Sequence, residues 1–280
     1  DIDKAIDAAK IFHKRYGLDG VMTCGTDVAY TVAHIAKALH LPGISPEIAL
    51  WATDKGLMRT VLQKKGVPVP DFRIVNSFEE ALRAVKKLKY PLVIKPVDNM
   101  GARGVRKLSS DKELKLAWPE AFKNSRTQTV IIERFIPAKE LSIETLVYKG
   151  KVYLITIADR IIKHPPYFIE KGHTLPTTLS KKEQDIVFDM AEKGVRALGI
   201  KYGPVKFDMR LSKKGAVIGE MTARLSGGFH SQMTEPLAFG MNSIKAVIDL
   251  SLGFSLDKKD IEPQFFHASA ERSLYPKPGK

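Results

Sequence analysis

Asp208 and Glu220 flank the turn signal Lys213-Lys214-Gly215, in two apolar-polar runs that read as the strands of a hairpin. A hairpin of this length sets the carboxylates face to face. Paired carboxylates with room for phosphate oxygens suit Mg2+, which takes few protein oxygens and keeps its other positions for substrate. Val205, Phe207 and Met209 surround Asp208, and Val217, Ile218 and Met221 surround Glu220, so alternation places Asp208 opposite Phe207, on a face that lines a cleft. The alternative is two surface charges on an edge hairpin. Directly downstream, Thr222-Ala223-Arg224-Leu225-Ser226-Gly227-Gly228-Phe229 offers a guanidinium and free amides at Ser226 to Gly228. Such groups stabilise the charge that develops on a transferring phosphoryl group. A plain loop is the alternative.

Two further segments carry related chemistry. Asp98-Asn99-Met100-Gly101-Ala102-Arg103-Gly104-Val105 follows the strand-like Val93-Ile94-Lys95-Pro96. Glycines after a strand let backbone amides approach an anion, and Lys95 and Arg103 add positive charge; a simple hairpin turn is the competing reading. Glu133-Arg134-Phe135-Ile136-Pro137, with Glu140, leaves a strand as an interdomain hinge would. Exposed backbone there can pair with an adenine and Glu140 can accept from ribose hydroxyls, unless these are merely charges at strand ends.

The elements that must position these residues follow from periodicity. Residues 1–16 repeat apolar positions at helical spacing, 20–24 form a strand-like run, and Gly25-Thr26-Asp27 opens a helix to about Leu39. Together they resemble the later part of an open parallel α/β unit. Asp54 caps a helix to about Lys65. Then come strand 72–75, a helix from Ser77, strand 91–96, a helix from Ser110 and strand 129–135; Ser77 with Glu80 and Ser110 with Glu113 have capping-box spacing. A second lobe holds a hairpin at 141–148 and 151–158, a loop rich in Pro and aromatic residues at 163–178, a helix from Ser180 to about Leu198, the 203–221 hairpin, a helix near 242–252 and a short terminal strand.

Composition limits the partners. The chain has 280 residues and 27% charged residues, enough for a full core, with no run of the roughly 20 apolar residues that a bilayer crossing requires. No signal-peptide core is present at the start, so a cytoplasmic protein without a membrane partner is expected. Cys24 alone makes no internal disulfide and no zinc site. The net charge of +14 is spread along helices and interleaved with acids, so no nucleic-acid partner is expected. The start at Asp1 and the end over 276–280 suggest a chain clipped at both ends.

The order of these motifs resembles the ATP-grasp enzymes. Asp54-Lys55, Val93-Ile94-Lys95-Pro96, Gly101-Ala102-Arg103-Gly104-Val105, Glu133-Arg134-Phe135-Ile136 with Glu140, and Asp208 with Glu220-Met221-Thr222-Ala223-Arg224 carry the resemblance. It is greatest to the branch of carbamoyl-phosphate synthase large-chain ATP domains, biotin carboxylase, phosphoribosyl-glycinamide-type ligases and L-amino acid ligases. The fold implied is α/β, an ATP-grasp of two α+β lobes enclosing ATP, preceded by part of an open parallel α/β domain. Residues 1–50 would be the remainder of that domain, 51–137 the linker helix and small lobe, and 138–280 the C-terminal lobe.

By this resemblance Lys55 and Lys95 contact nucleotide and phosphates, and the 98–105 loop, with Gly101, Arg103 and Gly104, is the flap over the triphosphate. Glu133, Phe135 and Ile136 lie in the adenine hinge and Glu140 meets the ribose. Asp208, Glu220 and Thr222 occupy the positions that hold Mg2+ (or Mn2+), and Arg224, with Lys95 and Arg103, serves the transferred phosphate. Three departures stand out: Thr222 replaces a usual Asn, Ala102 a common Ser and Ala138 a common Gly. The chemistry implied is phosphoryl transfer from ATP to a carboxylate, followed by attack of an amine on the acyl phosphate. Substrate choice is expected in the 159–176 loop, where Arg160, Lys163 and His173 can hold a carboxylate and Tyr167 and Phe168 can floor a pocket, alongside Ser226 and Gly227. His173 reads equally well as a structural histidine. An amino-acid-like carboxylate is the first choice of substrate, and a homodimer is compatible with the family. The rivals are a carbamoyl-phosphate-synthase-like or carboxylase subunit that phosphorylates bicarbonate, a nucleotide-binding module without turnover, and a nucleic-acid binder.

Overall fold

Four helices precede the first sheet in the computed structural model, which describes residues 1–275 and 279: α1 (Ile2–Tyr16), α2 (Ala29–Ala38), α3 (Pro46–Trp51) and α4 (Lys55–Lys64). Asp54 caps α4 by accepting from Leu57 N, as the sequence predicts. The strand expected at 20–24 is reduced to one parallel bridge between Cys24 and Leu225, because no neighbouring strand runs alongside it. Residues 276–278 and 280, part of the segment read as a clipped end, lie outside the described residues.

A four-stranded antiparallel sheet follows, built from β1 (Phe72–Val75), β2 (Leu92–Pro96), β3 (Arg106–Leu108) and β4 (Val130–Arg134) in the order β1-β4-β2-β3. Helices α5 (Phe78–Leu88) and α6 (Asp111–Lys123) cover one face. The buried residues of α5, Ala81, Ala84, Val85 and Leu88, recur at helical spacing and pack on Leu92, Ile94, Val130 and Ile132. The alternate strand positions Val93, Lys95, Ile131 and Glu133 therefore point the other way. Ser77 and Ser110 cap as expected, but Glu80 and Glu113 each reach back one residue further, to Asn76 N and Ser109 N. The complete capping box is at Ser180 and Glu183.

The larger sheet has six antiparallel strands in the order β10-β7-β6-β5-β8-β9. Its members are β5 (Lys139–Tyr148), β6 (Lys151–Lys163), β7 (Ile169–Leu175), β8 (Gly203–Ser212), β9 (Gly215–Thr222) and β10 (Ser269–Arg272). The expected 163–178 loop thus contains strand β7, held between β6 and β10. Its Gly172 and polar residues hide the strand pattern from sequence. Helix α7 (Lys181–Leu198) covers one face, with Leu141, Ile143, Val205, Phe207, Met209 and Met221 beneath it. Helices α8 (Glu235–Phe239) and α9 (Ser243–Ser251) close part of the other face over Leu146, Ile155 and Ala158. A π-helical turn, His230–Thr234, leads into α8. Among the described residues, no helix is long and apolar enough to cross a membrane.

Candidate functional site

Period-two alternation assembles the site. Leu141, Ile143, Phe207 and Met209 face the α7 core, so their neighbours Glu140, Ser142 and Glu144 on β5, and Lys206, Asp208 and Arg210 on β8, face the opposite way. The register pairs Glu140 with Arg210, Ser142 with Asp208 and Glu144 with Lys206. On β9, Glu220 pairs with Asp208 and Thr222 with Lys206. The two carboxylates predicted to face each other do so, in the wall of a cleft of about 660 Å3.

Fixed cations surround this pair. Arg160 Nη1 lies 3.0 Å from Asp208 Oδ2, Lys206 contacts the other oxygen, and Lys55 Nζ lies 3.0 Å from Glu220 Oε1. Against the upward pull of burial, Arg160 and Lys206 hold Asp208 down to about 2. Glu220, opposed by burial, is likewise held below its ordinary value by Lys55. Both are anions at neutral pH. Thr222 Oγ1, beside them, is buried without a hydrogen-bond partner.

The small sheet supplies the opposite wall. Lys95 pairs with Glu133, which also takes Arg59 Nε at 3.1 Å. Burial raises the Glu133 carboxyl, yet Arg59 and Lys95 outweigh it and bring Glu133 down to about 2. Burial in turn lowers Lys95. Arg59 Nη2 donates to Gly219 O at 2.5 Å, so this one guanidinium joins β4 to β9. Between the walls, Lys55 Nζ donates to Asn99 O at 2.7 Å and Asn99 Nδ2 to Asn124 O at 2.7 Å, pinning the base of the 98–105 loop. Gly101 and Arg103 line the cleft, and both are exposed.

Not every expected residue reaches the cleft. Gly104, at φ 71°, packs on α6, where a Cβ would sit 3.1 Å from Ala121 Cα; its need for glycine comes from that contact. Lys163 is exposed at the end of β6 and away from the cleft, because the segment expected as a loop continues β6, paired with β7 past a bulge at Ile161–Ile162. Phe135 meets Phe168 in a tilted contact, ring centroids 6.1 Å apart, with Lys107 and Arg210 over its ring, beside the lining residues Ile136 and Phe168. Glu140 is held by Arg210 at 2.5 Å. Arg160 is tied to Glu170 at 2.7 Å as well as to Asp208, and these carboxylates, with Glu140, keep its guanidinium above its ordinary value despite burial. His173 is buried, bonded to Thr234 Oγ1 at 2.8 Å, and pushed down to about 4 by burial and by His230.

Arg224, Ser226 and Gly227 line the same cleft. Arg224 is paired with Asp27, and Ser226 N donates to Glu144. Sequence reading missed Asp27, Arg59, Lys206 and Glu144, as well as Glu271 and Ser273, which β10 carries to the cleft. Asp27 and Lys206 had a signal, standing beside Gly25 and two residues before Asp208. Arg59 and Glu271 had none.

A family model described as an ATP-grasp domain matches residues 88–232, just over half of the chain, from the end of α5 into the π-helical turn. The chain belongs to the ATP-grasp family. Its fold is similar to that of L-amino acid ligase from Bacillus licheniformis, with a TM-score of 0.86 and 27% identity over 100% of this chain and 67% of that one. An uncharacterized protein of Sinorhizobium fredii is 28% identical over 259 residues, 90% of this chain and 53% of the relative. The N-terminal section of the carbamoyl phosphate synthase large chain of Aquifex aeolicus is 28% identical over 245 residues, 84% of this chain and 43% of that protein. The ATP-grasp chain thus spans about half the length of these curated relatives.

Proposed function

We propose that this ATP-grasp protein is an ATP-dependent carboxylate–amine ligase that activates an amino-acid-like carboxylate as its acyl phosphate. The observation that carries this reading is the ionised Asp208–Glu220 pair in the cleft wall, with Arg224, Lys55 and Lys95 lining the same space. ATP would lie with its adenine beside Ile136 and Phe168, its ribose at Glu140 and its phosphates between Lys55, Lys95 and the Gly101–Arg103 turn. Residues 1–50, 51–137 and 138–280 act in this reading as leading segment, small lobe and large lobe.

The donor set fits Mg2+, the family's usual ion: two carboxylates kept anionic, and the buried Thr222 hydroxyl without a partner beside them. Asp208 and Glu220 would hold it, with Thr222 as the weaker third group. When bound, Mg2+ neutralises the charge of the terminal phosphates. Lys55 and Lys206, now engaged by the carboxylates, would turn to the phosphate oxygens.

The remaining chemistry is positioning and charge stabilisation. A carboxylate oxygen bonds to the γ-phosphorus as the bond to the β-phosphate oxygen breaks, releasing ADP. Arg224 and the amides at Ser226 to Gly228 meet the charge that builds on the transferring group. The amine then attacks the acyl carbon, loses a proton to solvent and expels phosphate. Water exclusion by the 98–105 loop protects the acyl phosphate from hydrolysis.

Support for an amino-acid-like substrate comes from Glu170, His173 and Glu271, which line one region of the cleft and suit an ammonium group. The likeness to an L-amino acid ligase points the same way. The test is ADP release with Mg-ATP and pooled amino acids, hydroxylamine being present to trap the acyl phosphate as a hydroxamate, with Glu220→Ala as the blank. Hydroxamate from one pool is the expected result. ADP release that responds to bicarbonate and to no amino acid would move the assignment to carboxylate activation of the carbamoyl-phosphate kind, and nucleotide binding without turnover would leave a binding module.

A further inference from the structure

Behind the 224–228 loop lies a second group of ionisable side chains that phosphoryl transfer does not use. Glu144 on β5, His230 in the π-helical turn and Glu235 at the start of α8 are 1%, 2% and 0% exposed. One ligand atom from each lies within 4.8 Å of the others. They converge from elements scattered along the chain.

The hydrogen bonds divide the two oxygens of each carboxylate into different roles. Glu144 Oε1 accepts from Ser226 N and from Ser231 Oγ at 2.9 Å, and Glu235 Oε1 accepts from Ser243 N at 3.2 Å. Both Oε2 atoms are buried without a hydrogen-bond donor. Glu144 Oε2 is 3.5 Å from His230 Nε2. The outer oxygens are thus held by donors that fix the carboxylate planes, while the inner ones are left facing the imidazole. Outer-sphere hydrogen bonds of this kind orient the ligands of a metal.

Charge sets the same requirement. No Lys or Arg among the described residues pairs with Glu144 or Glu235, and two carboxylates side by side in a dry pocket require a cation or a shared proton. Without an ion, burial and Glu144 push Glu235 well above its ordinary value, and this proton is what a cation would displace. Burial lowers His230, and burial together with His230 lowers His173, 4.8 Å away ring to ring, so both imidazoles are neutral; His230 Nε2 is bonded to Thr156 Oγ1 at 2.8 Å and would exchange that bond for the ion. A mixed imidazole and carboxylate set selects a borderline ion over Mg2+. Ligands on one tetrahedral zinc stand about 3.3 Å apart, so small side-chain rotations close this group onto an ion.

We propose that Glu144, His230 and Glu235 form a structural site for one Zn2+ ion, which locks the π-helical turn and the 224–228 loop to the large sheet. The site is independent of the nucleotide-metal residues Asp208 and Glu220. It also stands apart from the ligase assignment.

The test is metal content by plasma mass spectrometry on protein made in zinc-supplemented medium and desalted into Mg2+ buffer. One zinc per chain is expected in the wild type and in Asp208→Asn, and none in Glu235→Gln or His230→Gln. Adding Zn2+ to chelator-treated wild type should raise its thermal midpoint and leave that of Glu235→Gln unmoved. Wild-type protein without zinc overturns the proposal and leaves the carboxylates sharing a proton, in which case Glu235→Gln keeps wild-type stability. Zinc retained equally by both variants also overturns it.

Discussion

Arg59 on α4 and Glu133 on β4 form a fully buried ion pair, Nε to Oε2 at 3.1 Å, across 74 positions of sequence. The same guanidinium donates to Gly219 O, so it fastens the small sheet to the strand that carries Glu220. Arg59→Met leaves Glu133 with Lys95 alone and removes the link to β9. A cost of about 3–5 kcal/mol is expected, because breaking one side of a buried pair strands the other charge. Urea denaturation measures it. The double variant Arg59→Met/Glu133→Gln should recover part of the loss; no recovery would mean that packing by the arginine stem, and not charge, sets its value.

Acid should act on the same residue. Glu133 moves from 4.5 down to about 2 in the folded chain, so the folded state favours its ionised form. A carboxylate shifted this way contributes stability that is complete above the unfolded value and drains away as pH falls from 4.5 toward 2. The size is on the order of 3 kcal/mol. Asp208, also held at about 2, adds in the same direction. Urea midpoints compared between about pH 6 and about pH 3 should fall less steeply in Glu133→Gln than in the wild type. Parallel slopes would show that other carboxylates carry the acid sensitivity.

Sequence reveals what obeys a local period and conceals what depends on two distant segments. Strict alternation from the 212–215 turn would pair Asp208 with Gly219; a bulge between Asp208 and Met209 brings Glu220 opposite it instead, so the turn and the hairpin were legible and the shift was not. The β5–β6 hairpin and α7 were legible for the same local reasons, through a glycine turn and a capped amphipathic run. Strand β7 was not, because its pairing with β10 joins Gly172 to Arg272, and its Lys, Gly and His residues lack an apolar alternation. Arg59, Glu144 and Glu235 carry no local mark. A buried charge is visible in sequence only when its partner stands at a helical or hairpin spacing.

Gly172 illustrates the price of that long-range pairing. It sits at φ 143°, and a Cβ there would lie 2.0 Å from Glu271 O. Gly172→Ala must push β10 away and adopt a backbone conformation that L residues avoid. The expected cost is at least about 2 kcal/mol. Since β10 brings Glu271 and Ser273 to the cleft, KM for the carboxylate substrate should rise more than KM for ATP. An equal rise in both would place β10 outside substrate recognition.

Arg103 provides a probe of the phosphate-side loop. It is exposed, between Gly101 at φ 65° and Gly104, in a turn whose base is pinned by Asn99 and whose tip is held by bonds within the loop itself, Arg103 Nε to Asn99 Oδ1 at 3.2 Å and Arg103 N to Met100 O at 3.5 Å. Exposed tips of this kind are where proteases cut. Trypsin should nick after Arg103 in the free protein, and Mg-ATP should slow that cut at least about tenfold if the loop closes on phosphates. Cleavage unaffected by nucleotide would remove the loop from the ATP site.

Thr222 tests whether the proposed Mg2+ site would also take a second ion. Its hydroxyl is buried and unpartnered next to Glu220, at a position where the family resemblance calls for an amide side chain, and Lys206 faces it across the β8–β9 register. A hydroxyl is a weaker ligand than an amide oxygen, and the lysine adds a fixed positive charge where a second cation would sit. In the proposed function both effects would weaken a second ion while leaving the first to Asp208 and Glu220. Thr222→Asn should therefore tighten the second Mn2+ by about tenfold, or roughly 1.4 kcal/mol, in titrations followed by electron paramagnetic resonance with a non-hydrolysable ATP analogue. Lys206→Ala should do the same from the other side by removing the repulsion. If neither variant changes the second step, the two-carboxylate pair alone governs metal loading, and Thr222 is a packing residue of β9.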